Sequence, residues 1–296
     1  MVQRRRDRQA GVALVMLLWF IAAMSLMVVG LMGEARLDIR LSQLYLRQAQ
    51  AEALADGAIQ RTLQALVEAE RGEAPVPSVF TWEETRDGIE LRAWVHSVSG
   101  FVDLNAAPES LLAALFQQLG ELDPQEALLL ANKVVRWRGV KPEGSAPEPG
   151  FRYGRFEAPE DLLLVDGVSR SLYDRVAPAL AVTSKWQEKI RLLSAPPAVL
   201  EMLAEGDESL VSHWQQAQLS PEPVAVQPPA NLELLSSSSV QARIYRIEAR
   251  VGFADGQIYR RVRWVEYGQP GLDGLPWHFF RTEAVARADQ LDFTDN

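Results

Sequence analysis

The chain has 296 residues, 30 Lys and Arg against 39 Asp and Glu, and no cysteine. A formal charge of −9 makes it a poor general ligand for nucleic acid, and the missing cysteine rules out a disulfide framework and thiol chemistry. The length suits an anchor plus one large or two small folded units, with apolar content of 48% sufficient for a core beyond the anchor.

Val12 to Met32 is a run of 21 uncharged, mostly apolar residues. As a helix it covers roughly 30 Å, the hydrocarbon thickness of a bilayer. Gly30 and Gly33 are tolerated in such a helix because its backbone bonds stay internal. Arg4, Arg5, Arg6 and Arg8 precede the run and Glu34 follows it. The positive-inside rule therefore predicts a cytoplasmic N-terminus and an exported remainder. A cleaved secretory signal would be shorter and would end in a small-x-small site, which Gly33, Glu34, Ala35 and Arg36 do not provide. A buried soluble helix would carry a polar face, and this run has none. An uncleaved anchor with no further meaning is the plainest competing reading.

The helical pattern continues past the anchor. From Glu34 to about Glu70 there is no proline and one glycine, Gly57, while Leu37, Leu41, Leu44, Ala51, Leu54, Ala58, Leu63 and Leu66 recur at helical spacing. One helix from about Val12 to about Val67 would be roughly 80 Å long. Gly72, Pro75 and Pro77 mark its end.

Strands follow at Val79–Trp82 and Ile89–Val98, the second alternating Ile89, Leu91, Ala93 and Val95 against Glu90, Arg92, Trp94 and His96. Asp87 and Gly88 supply the turn between them. Helical character begins after Gly100. Ala107-Pro108-Glu109 is echoed by Ala158-Pro159-Glu160 and by Ala195-Pro196-Pro197, which places helix starts near Pro108, Pro159 and Pro196. Two more starts are expected after Pro124 and near Ser169. Gly139 to Gly154 and Ala217 to Ser239 are rich in proline, glycine or serine and read as irregular connections. Ala242–Val251 and Gln257–Tyr267 form a hairpin turned at Ala254, Asp255 and Gly256. Its expected inward face is Ile244, Ile247 and Val251 against Val262, with Trp264 or Val265. No element is assigned after Gly268.

Enzymatic chemistry has little to work with. His96, His213 and His278 are far apart and lack metal spacing. Ser25 and Ser42 lie on the anchor helix, no glycine-flanked nucleophile appears elsewhere, and no Gly-rich loop is present to cradle phosphate. Glu160 to Val176 resembles a helix-hairpin-helix, a DNA-clamping motif, and Asp103 to Leu115 resembles the opening of membrane-anchored competence receptors. Asp161 and Asp166 oppose that use, with only Arg170 and Arg175 offsetting them. The alternative function is accordingly an anchored DNA receptor.

A basic leader ending in Gly11, an apolar helix start and an unbroken amphipathic extension together resemble the type IV prepilins and type II secretion pseudopilins. That resemblance implies cleavage after Gly11 by a prepilin peptidase and N-methylation of Val12. The first mature residue is usually Phe and is Val12 here; the fifth is usually Glu and is Met16. A carboxylate at the fifth position pairs with the amine of the subunit above, and an unpaired charge in lipid is costly. Met16 therefore suits a subunit with nothing above it, the trait of the K-type minor pseudopilin (general secretion pathway protein K family).

The resemblance extends to the exported part through an N-x-x-P helix start at Asn105–Pro108, a second start at Leu192–Pro197, and the intervening Glu160–Gly167 stretch. It implies an α+β fold: a long N-terminal transmembrane helix on a small antiparallel, pilin-like sheet, with a large inserted all-α domain. The implied segments are a leader at 1–11, a transmembrane helix at 12–33 and its periplasmic continuation at 34–72. A first part of the pilin-like domain follows at 73–100, the helical insertion at 101–185, the second part of the pilin-like domain at 186–270 and a tail at 271–296. Leu14, Met16, Leu18 and Ile21 would pack against sister helices. The implied partners are the H-, I- and J-type minor pseudopilins, the prepilin peptidase and the inner-membrane secretion platform, with no nucleic acid. K-type pseudopilins are described as binding calcium through carboxylates after a tryptophan. Here Trp137 is followed by Arg138, Gly139, Val140 and Lys141, with Glu143, Glu148 and Glu157 scattered, so no cofactor is expected.

Overall fold

The structure is a computed structural model that describes residues 6–72, 76–139, 152–183, 188–222, 224–236, 243–268 and 274–291, without the side chains of 6–11 and 28–38. The chain divides into two compact units, Met1–Ala53 and Leu54–Asn296.

The first unit is made by helix α1, Arg6–Arg71, whose C-terminal turns belong to the second unit. It starts inside the segment expected to be a leader, because nothing from Asp7 to Ala10 breaks a helix, and it runs to Arg71 rather than to Val67. Among the described residues no helix is long and apolar enough to cross a membrane. Of the span expected at 12–33, the side chains of 28–33 lie outside the described residues. The large apolar side chains of 12–27 are exposed, from Val12 to Met27.

In the second unit the last turns of α1 bury Ala55, Ala58, Ile59, Leu63, Leu66 and Val67, a single stripe at helical spacing. The stripe covers one face of a six-stranded antiparallel sheet made by β1 (Val79–Arg86), β2 (Ile89–Ser97), β5 (Ile244–Gly252), β6 (Ile258–Tyr267), β7 (Trp277–Thr282) and β8 (Ala286–Ala288). Their order is β1-β2-β5-β6-β7, with β8 beside β6. Asp56 of α1 fixes the contact by pairing with Arg261 at 3.2 Å and Arg263 at 3.6 Å. Arg61 pairs with Glu84 of β1. On the covered face Val95 lies opposite Ile247, Ala93 opposite Ala249 and Leu91 opposite Val251. The hairpin turns are built as expected: Asp87 and Gly88 have φ of 52° and 73°, and Gly256 has φ 80°.

The inward face expected for β5 and β6 needs correction. Ile244, Ile247, Val251, Val262, Trp264 and Val265 are all buried, but they are divided between the two faces. Ile247, Val251 and Val265 share the α1 side, whereas Ile244, Val262 and Trp264 meet Val98, Phe101 and Ala181 on the other. Side chains alternate with period two, so Ile244 and Ile247 cannot share a face. Both are buried because both faces are covered.

Between β2 and β5 the chain leaves the sheet and builds a helical layer. It comprises α2 (Glu109–Gln118), α3 (Pro124–Arg138), a 3-10 turn at Pro159–Leu164, α4 (Arg170–Val176), α5 (Pro197–Ala204) and α6 (Glu208–Leu219). A short parallel pair, β3 (Val102–Asp103) with β4 (Leu180–Ala181), closes its base. The expected helix near Pro159 is a 3-10 turn, and Pro108 and Pro196 are caps preceding their helices rather than first helical residues. Asp123 caps α3 by accepting from Gln125 N at 2.8 Å, and Ser169 caps α4 by accepting from Leu172 N at 3.1 Å.

One apolar core joins all of these elements, with Leu115, Phe116, Trp137, Leu162, Leu200 and Trp214 in it. The helical section expected to stop at 185 therefore runs on through α6, and the sheet resumes only at β5. The segment expected as a tail, 271–296, to which the sequence assigns no element, holds β7 and β8 among its described residues.

Candidate functional site: a groove between the sheet and the helical layer

The residues singled out for processing and helix packing all fall on α1. Gly11 lies outside the described side chains, whereas Val12 is 59% exposed and Met16 70% exposed. Leu14, Leu18 and Ile21 are exposed as well, and their spacing of four and three puts them on one helix face.

A second feature was not visible in the sequence. The sheet face turned away from α1 carries Arg246, Glu248 and Arg250 on alternate positions of β5, with Trp264, Val262 and Arg260 opposite them on β6. Against this face stand α4, the start of α5 and the Pro159–Leu164 turn, leaving a groove of about 840 Å³. Its apolar lining is Pro178, Pro196 and Pro197 from the helical layer and Trp264 from the sheet.

Glu248 lies at the centre of the floor and is 3% exposed. Arg246 meets it at 3.0 Å and Arg250 at 2.9 Å. Burial by itself raises the carboxyl, but the guanidiniums of Arg246, Arg250 and Arg260 outweigh it and hold Glu248 below the usual carboxylate range. Arg250 also lies over the Trp94 ring at 5.5 Å and donates to Gln290 O at 3.0 Å. On one wall Arg281 donates to Glu160 at 2.6 Å and Arg170 pairs with Asp174 at 2.9 Å. Tyr173 is pushed up to about 12 by burial and by the charge of Glu160.

Deeper between the layers His96 is held down to about 3, first by burial and then by the charge of Arg246. Asp103 is raised by burial, although it accepts from Thr183 Oγ1 at 2.9 Å and from Asn105 N at 2.9 Å. The usable signal in the sequence was Arg246-x-Glu248-x-Arg250 on a strand. With no partner layer to consider, such alternation reads as a solvated face.

The hairpin that resembled a DNA clamp uses its acidic residues internally. Asp161 accepts from the backbone N–H of Glu157 at 2.7 Å and Ala158 at 3.2 Å, and Asp166 accepts from Lys133 at 2.7 Å. Among the described residues no group of three or more His, Cys, Asp or Glu is placed to hold a metal ion; Glu143 and Glu148 lie outside them.

A helix laid on an antiparallel sheet, with an all-α layer inserted between two neighbouring strands, is a pseudopilin-like architecture of mixed helix and sheet. More particularly the fold is GspK-like. The chain is similar to a chain of the crystal structure of the GspK–GspI–GspJ complex from the enterotoxigenic Escherichia coli type 2 secretion system. That likeness has a TM-score of 0.51 at 13% identity and covers 83% of this chain and 99% of that one. No family model matches the sequence, and no curated protein matches it.

Proposed function

We propose that this protein is a minor pseudopilin of the K type, a non-enzymatic subunit that joins other minor pseudopilins to initiate and cap the pseudopilus tip of a type II secretion system. The observation that carries the reading is the fold, which matches 99% of a chain solved in complex form with other pseudopilins. The exposed apolar run from Val12 to Met27 supports it, since such a surface needs either lipid or neighbouring helices.

In this reading a prepilin peptidase removes residues 1–11, Val12 is methylated, and the protein sits in the bacterial inner membrane with its N-terminus cytoplasmic and its bulk periplasmic. Leu14, Leu18 and Ile21 then pack against the helices of H-, I- and J-type partners on the secretion platform. Met16 brings no carboxylate into that bundle, so it needs no amine from a subunit above. The helical layer supplies the bulk that blocks further addition.

Co-expression with an active prepilin peptidase tests this. Intact mass is expected to fall by residues 1–11 and rise by one methyl group, and Gly11→Leu is expected to leave the chain uncut. Unchanged mass beside an active peptidase would overturn the proposal.

A further inference from the structure

We infer that the groove between the sheet and the helical layer binds an extended, carboxylate-bearing peptide segment of a partner protein. The inference stands apart from the pseudopilin reading, because it rests only on the charge and shape of the second unit.

The floor of the groove is unbalanced. Three guanidiniums, those of Arg246, Arg250 and Arg260, act on the single carboxylate of Glu248, which leaves two positive charges in excess. Both oxygens of Glu248 are already used, Oε2 by Arg246 and Oε1 by Arg250. Arg260 lies directly across the strand pair from Arg250, an arrangement of like charges that is unfavourable by itself. The Arg260 side chain makes no hydrogen bond or ion pair among the described residues, and the residue is half-buried on the groove floor. The carboxylates of Glu160 and Asp174 are committed to Arg281 and Arg170, that of Glu283 accepts from Trp264 Nε1 at 3.3 Å, and those of Glu201 and Asp289 belong to exposed residues. A half-buried guanidinium forks two N–H donors toward a carboxylate more effectively than toward a spherical anion.

Shape argues for a chain rather than a lone ion. The space is about 840 Å³ and is lined from α2's end at Leu119, from α4 at Arg170, from β5 and β6, and from Asp289 just after β8. Its proline-lined wall offers an occupant apolar contact and few N–H donors, so side-chain carboxylates carry the recognition. The excess positive charge sits in a protein of formal charge −9, so anions are attracted at this groove and not over the surface at large.

The test uses the full-length chain in detergent and a fluorescein-labelled ten-residue peptide of alternating Glu and Ala, followed by anisotropy at low and moderate salt. Salt-sensitive binding is expected, with the Gln-for-Glu peptide at least tenfold weaker. Arg260→Gln is expected to weaken binding about tenfold, while Arg86→Gln at the β1–β2 turn leaves it unchanged. Arg260→Gln is also expected to melt no lower than the parent chain, since it removes a like-charge contact, so a loss of binding cannot be attributed to unfolding. Equal binding by Arg260→Gln, equal binding of the two peptides, or displacement by free glutamate at matched concentration would each overturn the inference. So would binding of duplex DNA in place of the peptide. None of these outcomes bears on peptidase cleavage at Gly11.

Discussion

Replacing Glu248 with Gln leaves the buried Arg246 and the partly buried Arg250 on one strand with no carboxylate between them. Removing one partner of a buried ion pair costs about 3–5 kcal/mol, and a loss in that range is expected in urea titrations of Glu248→Gln. The folded pKa of Glu248 is depressed, so its contribution is present above the ordinary value of 4.5 and is lost as pH falls through the folded value. His96 acts over a higher window. Unfolded, it takes up a proton near pH 6.5; folded, it stays neutral until about pH 3. Between those values the unfolded state holds more protons, so stability falls on acidification. His96→Phe is expected to reduce the pH slope of the unfolding free energy by about one proton per molecule between pH 6 and pH 4. An unchanged slope would place the acid sensitivity elsewhere. Neither residue was legible as a buried ionisable group, because each occupies a strand position that a sheet open on one side would leave in water.

Elements whose signals are local were readable. Asp123 and Ser169 cap helices through bonds to residues two or three positions on, and Asp87-Gly88 takes the positive φ that a tight turn needs. Helix α6 is capped by Asp207, which accepts from Ser209 N at 3.0 Å and Leu210 N at 3.2 Å, but it lacks the Ala-Pro start shared by the stretches at Pro108, Pro159 and Pro196. Strands β7 and β8 were hidden because their partner is β6, not a strand within their own segment. Two substitutions test how elements are held together. Gly100 sits where the chain passes Ser194 and Ala195, and a Cβ there would overlap the Ser194 carbonyl oxygen and the Ala195 nitrogen. Both sides are backbone, so Gly100→Ala is expected to cost at least about 2 kcal/mol in chemical denaturation. Asp56→Ala removes the pair that joins α1 to Arg261 and Arg263, and a smaller loss of about 1–2 kcal/mol is expected, since Asp56 is about one-third exposed.

For the molecule as a whole, the expected processing at Gly11 and the exposed apolar run of α1 belong to one unit, and the groove belongs to the other. Detergent-free preparation of the full chain is expected to aggregate through residues 12–27, and size-exclusion chromatography with and without detergent checks this. The apolar run, its basic flank, the helix caps and the hairpin turns were determined by the sequence alone, because each depends on residues within a few positions of one another. Only the tertiary structure decided that the sheet is covered on both faces, that the helical layer extends through α6, and that Arg246, Glu248, Arg250 and Arg260 line a groove. Those outcomes depend on β2 meeting β5 across the entire helical layer, and no local pattern encodes which surface a strand will find on its second side.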